Sequence, residues 1–308
     1  MLSYIGRRLL ILIPTVLGVA TVVFALIHVM PGDPVEVMLG ETASVADRDV
    51  LRQRLGLDAP LPVQYRRFLT GLVRGDLGRS IHSGQPVATL MAQRIPATAV
   101  LTFAALAVAL LAAVPAGLAA AAHPRGVVDR ITLTASLFGV AMPNFWLGPL
   151  LILAFSLHLR WLPVSGTGSI AHVILPAVTL GLGMAGILTR LVRSTVIETL
   201  SEDYVRTARA KGASPTAVLY RHAFGNALTP LLSVVGLQLG ALLAGSVITE
   251  TIFSWPGIGR LTVQAIQTRD YPVVQGCVLV IALSYVLVNL ATDVGHTWAN
   301  PRTRGRDV

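Results

Sequence analysis

Apolar residues gather into six long runs, at positions 9–30, 98–122, 131–159, 169–188, 228–248 and 273–294, with polar residues between them. A helix rises about 1.5 Å per residue, so crossing a hydrocarbon core about 30 Å thick takes roughly 20 apolar residues. Each run reaches or approaches that length. None alternates apolar with polar positions, which predicts membrane-spanning helices rather than the strands of a barrel. Pro143 and Asn144 sit inside the third run and predict a bend there. The fourth run is short and rich in glycine. The predicted fold class is an all-α integral membrane protein with six transmembrane helices.

The 67 residues from 31 to 97 read differently. Turn signals stand at MPGDP (30–34), LDAPLP (57–62) and HSGQP (82–86). Between them, ADRDVLRQRLGL (46–57) and VQYRRFLTGLV (63–73) place apolar residues at helical spacing with charges elsewhere. This pattern predicts a small external subdomain over 31–93, the alternative being loops resting on the outer leaflet. PVATLMAQRIPATAVLT (86–102) leads into the second run, and Pro96 marks the expected break. The chain then divides into an N-terminal segment with the first helix (1–30), the subdomain, a core over 94–297 and a tail over 298–308. No internal repeat is visible.

Composition agrees with a membrane class. Hydrophobic residues make up 54% of the chain, charged residues 13%, and the mean hydropathy is +0.70, against about a quarter charged residues in soluble domains. Lys and Arg then set the orientation. Thirteen of the 24 fall at Arg7, Arg8, Arg125, Arg130, the six between Arg190 and Arg221, and Arg302, Arg304 and Arg306. The short loops of the other side hold only Arg160, Arg260 and Arg269. Both termini are therefore expected in the cytoplasm. The net charge of +9 is spread over loop ends and forms no basic face interleaved with aromatics, which argues against a nucleic-acid partner. The first run is too long for a signal-peptide core and is expected to be retained. One cysteine, Cys277, lies in the sixth run; it excludes an internal disulfide and reads as packing.

The runs carry almost no ionisable side chain. Apart from groups at or near their ends, such as His28, Arg190, Glu250 and Asp293, they hold only Asn144, Gln238, Gln275 and Asn289 as larger polar groups. Proton-coupled transporters keep a carboxylate or histidine at mid-depth, so that class is disfavoured. No H-E-x-x-H and no paired carboxylate at site spacing are present, which disfavours a metal site or an intramembrane protease. A phosphate-binding loop needs Lys followed by Ser or Thr, and the only lysine, Lys211, precedes Gly212. No cofactor is expected in this chain. Any ATP and Mg²⁺ belong on another. Asn144 and Gln238 are the best candidates for facing a water-filled path, although an interhelical hydrogen bond explains them equally well. Gly236 and Gly240 form a G-x-x-x-G in the fifth run, a pattern that favours close helix contact.

Residues 190–223 break the apolar pattern with six basic groups. Placing them at mid-bilayer costs on the order of 15–20 kcal/mol, so they face the cytosol. Thr199 and Glu202 fit a capping box, Glu202 and Asp203 match the positive end of a helix dipole, and Arg209 and Lys211 match its negative end. Gly212 supplies a left-handed residue after the helix. Ser214 and Pro215 start a second helix, which runs through Tyr220 and Phe224 back into the membrane. On the first helix, Tyr204 and Ala208 stand at i and i+4 with Val205 beside them, predicting a small apolar surface with basic edges. Such a surface either rests on anionic membrane lipid or docks in a groove of a soluble partner.

YVRTARAKGAS (204–214) resembles the cytoplasmic coupling loop of bacterial ATP-binding-cassette (ABC) importer permeases, whose motif reads E-A-A, three residues, then G. Aligned on Gly212, Arg206 stands at the motif's Glu, Thr207 at its first Ala and Ala208 at its second. These replacements, and HAFGNALTP downstream, are similar to the peptide-importer branch. VMPGDPV, LGLD.PLPVQY..FL..L..GDLG.S across 55–80, RIPATAVLT and ITETIFSWPGIGRL all resemble the dipeptide, oligopeptide, glutathione and nickel permeases. The resemblance implies a type I ABC importer permease fold and a translocation path for a peptide-like solute or nickel. It implies that Tyr204, Val205, Arg206, Thr207, Ala208, Arg209, Ala210, Lys211, Gly212 and Ala213 form a coupling helix and turn seated on an ATPase subunit. The implied partners are a second, distinct permease chain, two ATPase subunits and an external solute-binding protein. The competing classes are a stand-alone channel or facilitator, which conducts in isolation, and a structural membrane anchor.

Overall fold

The computed structural model describes residues 13–25, 35, 44–55 and 57–299. Among them, regular structure is helical apart from one antiparallel bridge between Arg79 and Pro86. In chain order the helices are α1 (Ile13–Ala25), α2 (Val45–Leu55), α3 (Leu61–Val73), α4 (Val87–Ala122) and α5 (Val127–Ala141). Next come α6 (Asn144–Leu151), prolonged by a π-helical stretch Ile152–His158, then α7 (Ala171–Leu200) and α8 (Asp203–Ala210). A single turn, α9 (Pro215–Ala217), runs through a π-helical stretch Val218–Phe224 into α10 (Gly225–Ile252), followed by α11 (Ile258–Gln267) and α12 (Tyr271–Ala299).

Four of the described helical segments are long and apolar enough to cross a membrane: Val87–Ala122, Ala171–Leu200, Pro215–Leu243 and Tyr271–Thr292. A fifth is added if α5 and the helix Asn144–His158 count as one span. α1 is the described part of the first apolar run, and positions 9–12 and 26–30 lie outside the described residues, as do most of 31–43 and the tail from 300.

The bend expected at Pro143 and Asn144 is a full elbow of 104°. Met142 is extended at φ −77°, ψ 117°, as the residue before a proline prefers, and Pro143 caps the next helix at φ −67°, ψ 140°. The break expected at Pro96 is absent, because α4 is continuous from Val87 to Ala122. An interior proline costs a helix about 3 kcal/mol. Packing on both sides offsets it: Val87 and Met91 are buried on one side of Pro96, and Leu101, Ala105, Ala109 and Ala113 form a fully buried stripe on the other.

The chain forms two compact units, residues 1–98 with 256–284 and residues 99–255 with 285–308. In the first unit, Val87, Met91, Ile258, Ala265, Val273 and Cys277 form one apolar cluster, and Ala20, Val23 and Leu279 form another with Phe68 and Leu72 against it. Gln275, a polar group of the sixth run, donates to the Val23 carbonyl at 3.4 Å. Asp270 is buried there and accepts from the Ser80 hydroxyl at 2.5 Å and the Ile81 N–H at 3.1 Å.

The second unit is organised around α7, against which α5, α6 and α10 pack. Lipid is as apolar as leucine, so close approach of small residues, not the hydrophobic effect, holds such helices together. A Cβ added at Gly181 would stand 2.7 Å from the Ala105 carbonyl oxygen, and one at Gly117 would stand 2.8 Å from Cβ of Val192. On α10, Gly240 lies under the Tyr285 ring, where an added Cβ would come within 2.6 Å, and Gly236 lies under Thr292. The G-x-x-x-G of the fifth run is thus a contact face for α12.

Candidate functional site

The segment 201–218 leaves α7, makes the two-turn helix α8, turns at Gly212 and re-enters helix at Pro215. Glu202 is the first cap, with extended backbone at φ −70°, ψ 147° and no side-chain capping bond. The expected capping box is therefore not made. Thr199 still belongs to the last turn of α7, where its hydroxyl donates to the Thr195 carbonyl at 2.8 Å. Asp203 occupies the first turn of α8 and pairs with Arg206 at 3.3 Å, while Arg209 stands in the last turn and Lys211 is the C-terminal cap. The acid-to-base order suits the helix dipole.

Gly212 has φ +85°, the left-handed conformation expected for it, and no atom lies within 4 Å of where a Cβ would be. Its role is conformational. The Ala213 N–H closes the turn on the Ala208 carbonyl at 3.1 Å, and the Ser214 hydroxyl caps the next helix by accepting from the Ala217 N–H at 3.3 Å, with Pro215 at its first position. Turn and restart stand where the residues predicted them.

The expected apolar surface needs one correction. Val205 is fully buried and faces into the protein, with Val218 and Ala223 of the stretch that α8 packs against also buried. Tyr204 remains 43% exposed, and its hydroxyl donates to the His222 carbonyl at 3.2 Å and accepts from the Asn226 amide. Arg206, Thr207, Arg209, Ala210, Lys211 and Gly212 are exposed, and Ala208 and Ala213 are half-buried. The outward face is thus small and basic, and its one large ring is held at the edge. Asn226 and His222 were missed as partners of Tyr204 because they lie on a helix that begins only after the turn.

Asn144 is half-buried at the elbow, as the first residue of α6, and Gln238 is half-buried on α10. Gly148, one turn after Asn144, packs on Ile252 and Phe253. That contact is about 20 Å along α10 from Gln238, so the two polar candidates stand at different levels.

Residues 113–305 match the family described as "Binding-protein-dependent transport system inner membrane component", and residues 1–102 match its N-terminal companion, "Binding-prot-dependent transport system membrane comp, N-term". The chain belongs to this permease family. The permease is 44% identical over 304 residues, 99% of each chain, to "Glutathione transport system permease protein GsiC" of Salmonella paratyphi A. It is 42% identical over the same length to the protein of that name in Escherichia coli K12. It is a permease subunit of an ABC importer of the peptide and glutathione branch, a multi-pass protein of the inner membrane. Such a subunit works with a partner ATPase and a solute-binding protein, and its family comprises transport subunits rather than enzymes.

Among solved structures, the permease is similar to a chain of the inward-facing MetNI methionine ABC transporter, with a TM-score of 0.58, 19% identity, and coverage of 68% of this chain and 96% of that one. It is also similar to a chain in the crystal structure of an amino acid ABC transporter with histidines, with a TM-score of 0.52, 16% identity, and coverage of 70% and 94%. At those identities the likeness establishes the fold.

Proposed function

We propose that the permease forms half of a translocation path and is driven through α8 and the Gly212 turn, from Tyr204 to Ala213, which dock on an ATPase subunit. The observation that carries this reading is a basic, solvent-exposed, glycine-stopped helix set between two helices long enough to span a membrane. The motor is separate: the chain binds no nucleotide, and ATP and Mg²⁺ are held by two ATPase subunits. A second, distinct permease chain completes the path, and an external binding protein delivers the solute. The permease has six spans with both termini in the cytoplasm and the 31–93 subdomain outside, a reading that the Lys and Arg asymmetry supports. Asn144 and Gln238 line the path at different depths. The solute is peptide-like, with glutathione the first to test, since relatives matched over 99% of their length carry that name.

Ala208→Glu tests the docking. A carboxylate buried without a partner costs about 3 kcal/mol, which corresponds to retention of the ATPase subunits on the order of 100-fold weaker. The variant is expected to insert and to pair with the second permease, but to lose the ATPase subunits on purification and to transport poorly. Wild-type retention and transport would return α8 to the alternative of resting on lipid.

A further inference from the structure

Asp129, in the first turn of α5, is buried, and both of its carboxylate oxygens are occupied. Oδ1 accepts from Nε of Arg193 on α7, and Oδ2 accepts from Nη2 of the same guanidinium at 2.7 Å and from the backbone N–H of Arg125 at 2.8 Å. One node thus joins α5, α7 and the loop after α4. We infer that Asp129 and Arg193 are positioning residues for coupling, whose two-point pair fixes the rotation and axial register of α7 against α5 and so the direction in which α8 leaves the protein. The inference rests on α8 being the docking helix.

Three observations carry it. The seam between α5 and α7 is already closed by small residues: a Cβ at Gly139 would stand 2.9 Å from the Leu182 carbonyl oxygen, and one at Gly186 would stand 2.9 Å from Cγ2 of Val140. The pair is therefore not needed to hold the helices together. Charges withdrawn from water recover little net stability from their attraction, whereas a guanidinium fork on a carboxylate tolerates neither rotation nor sliding. The place matters as well. Arg193 lies about two turns before α7 ends at Leu200, and α8 begins at Asp203. Of these α5–α7 contacts, this node is the one nearest the end of α7 that leads into α8.

The test uses the complete transporter in proteoliposomes and reads ATP hydrolysis with and without the external binding protein. The double variant Asp129→Asn with Arg193→Gln removes both charges, and Arg193→Lys keeps the charge but loses the fork. Both are expected to retain the ATPase subunits and unstimulated hydrolysis, while stimulation by the binding protein falls about fivefold or more. Full stimulation in the double variant would overturn the inference. If that variant fails to assemble, Arg193→Lys decides: full stimulation overturns the inference, and its loss supports it. Ala208→Glu in parallel separates the two assignments. If it is silent the docking helix is wrong, and if it disrupts while the clamp variants are silent only the clamp is wrong.

Discussion

Gly181→Ala adds one methyl group at a crowded point between α7 and α4. The new Cβ would lie 2.7 Å from the Ala105 carbonyl oxygen and 3.0 Å from Cγ1 of Val108. The Cγ1 tip can turn away, whereas Cβ of Val108, 3.1 Å off, moves only with α4. The carbonyl belongs to a helical backbone and cannot move without α4, so the helices must separate by several tenths of an ångström. Overpacking of this kind costs about 1–3 kcal/mol. Replacing glycine by alanine inside a helix returns about 1 kcal/mol through propensity. The clash therefore wins, and a net loss of about 1 kcal/mol is expected. Gly225→Ala is the control: it is helical with φ −54°, and nothing lies within 4 Å of its Cβ position, so only the gain of roughly 0.5–1 kcal/mol applies. Thermal unfolding of the purified transporter in detergent should order the proteins Gly225→Ala, wild type, Gly181→Ala from most to least stable. Equal or greater stability for Gly181→Ala would refute the close approach of α7 and α4.

In a Cys277→Ala background, a single cysteine at Ser165 should react with an impermeant thiol reagent from outside and one at Ser214 should not; the reverse would overturn the assigned orientation. Gly212→Ala forces a side chain into a left-handed residue, at a cost of about 1–2 kcal/mol, and should weaken ATPase retention on purification without lowering the yield of inserted permease. Unchanged retention would remove the turn from the docking element.

Hydropathy made four of the spans legible, and a fifth if the helices on either side of the elbow count as one, because insertion depends on composition, and the elbow was legible because Pro143 removes an N–H and restricts Met142. Pro96 misled for the opposite reason. Its local cost is real, but packing along α4 outweighs it. Charge marks where the membrane ends and not where a helix ends, so the fourth run stopped near Leu188 while α7 continues to Leu200. That continuation placed Thr199 inside α7 and removed it from the capping box. The turn at Gly212, Ser214 and Pro215 was readable because each of those residues acts on its own backbone. Val205 was not, since neighbours on a helix diverge by about 100° and only the packed structure says which faces inward. Asp129 and Arg193 are 64 positions apart. The signal that could have joined them was the rarity of an acid beside an apolar run, on the same face of the membrane as Arg193.

A photo-reactive side chain at Arg209, which is exposed near the end of α8, tests the central claim most directly. Irradiating the assembled transporter in membranes should yield a covalent product between the permease and an ATPase subunit, and the same probe at Ser165 should yield none. A product with lipid alone, from a preparation that still contains the ATPase subunits, would contradict the assignment of α8 as the element through which the motor moves this permease.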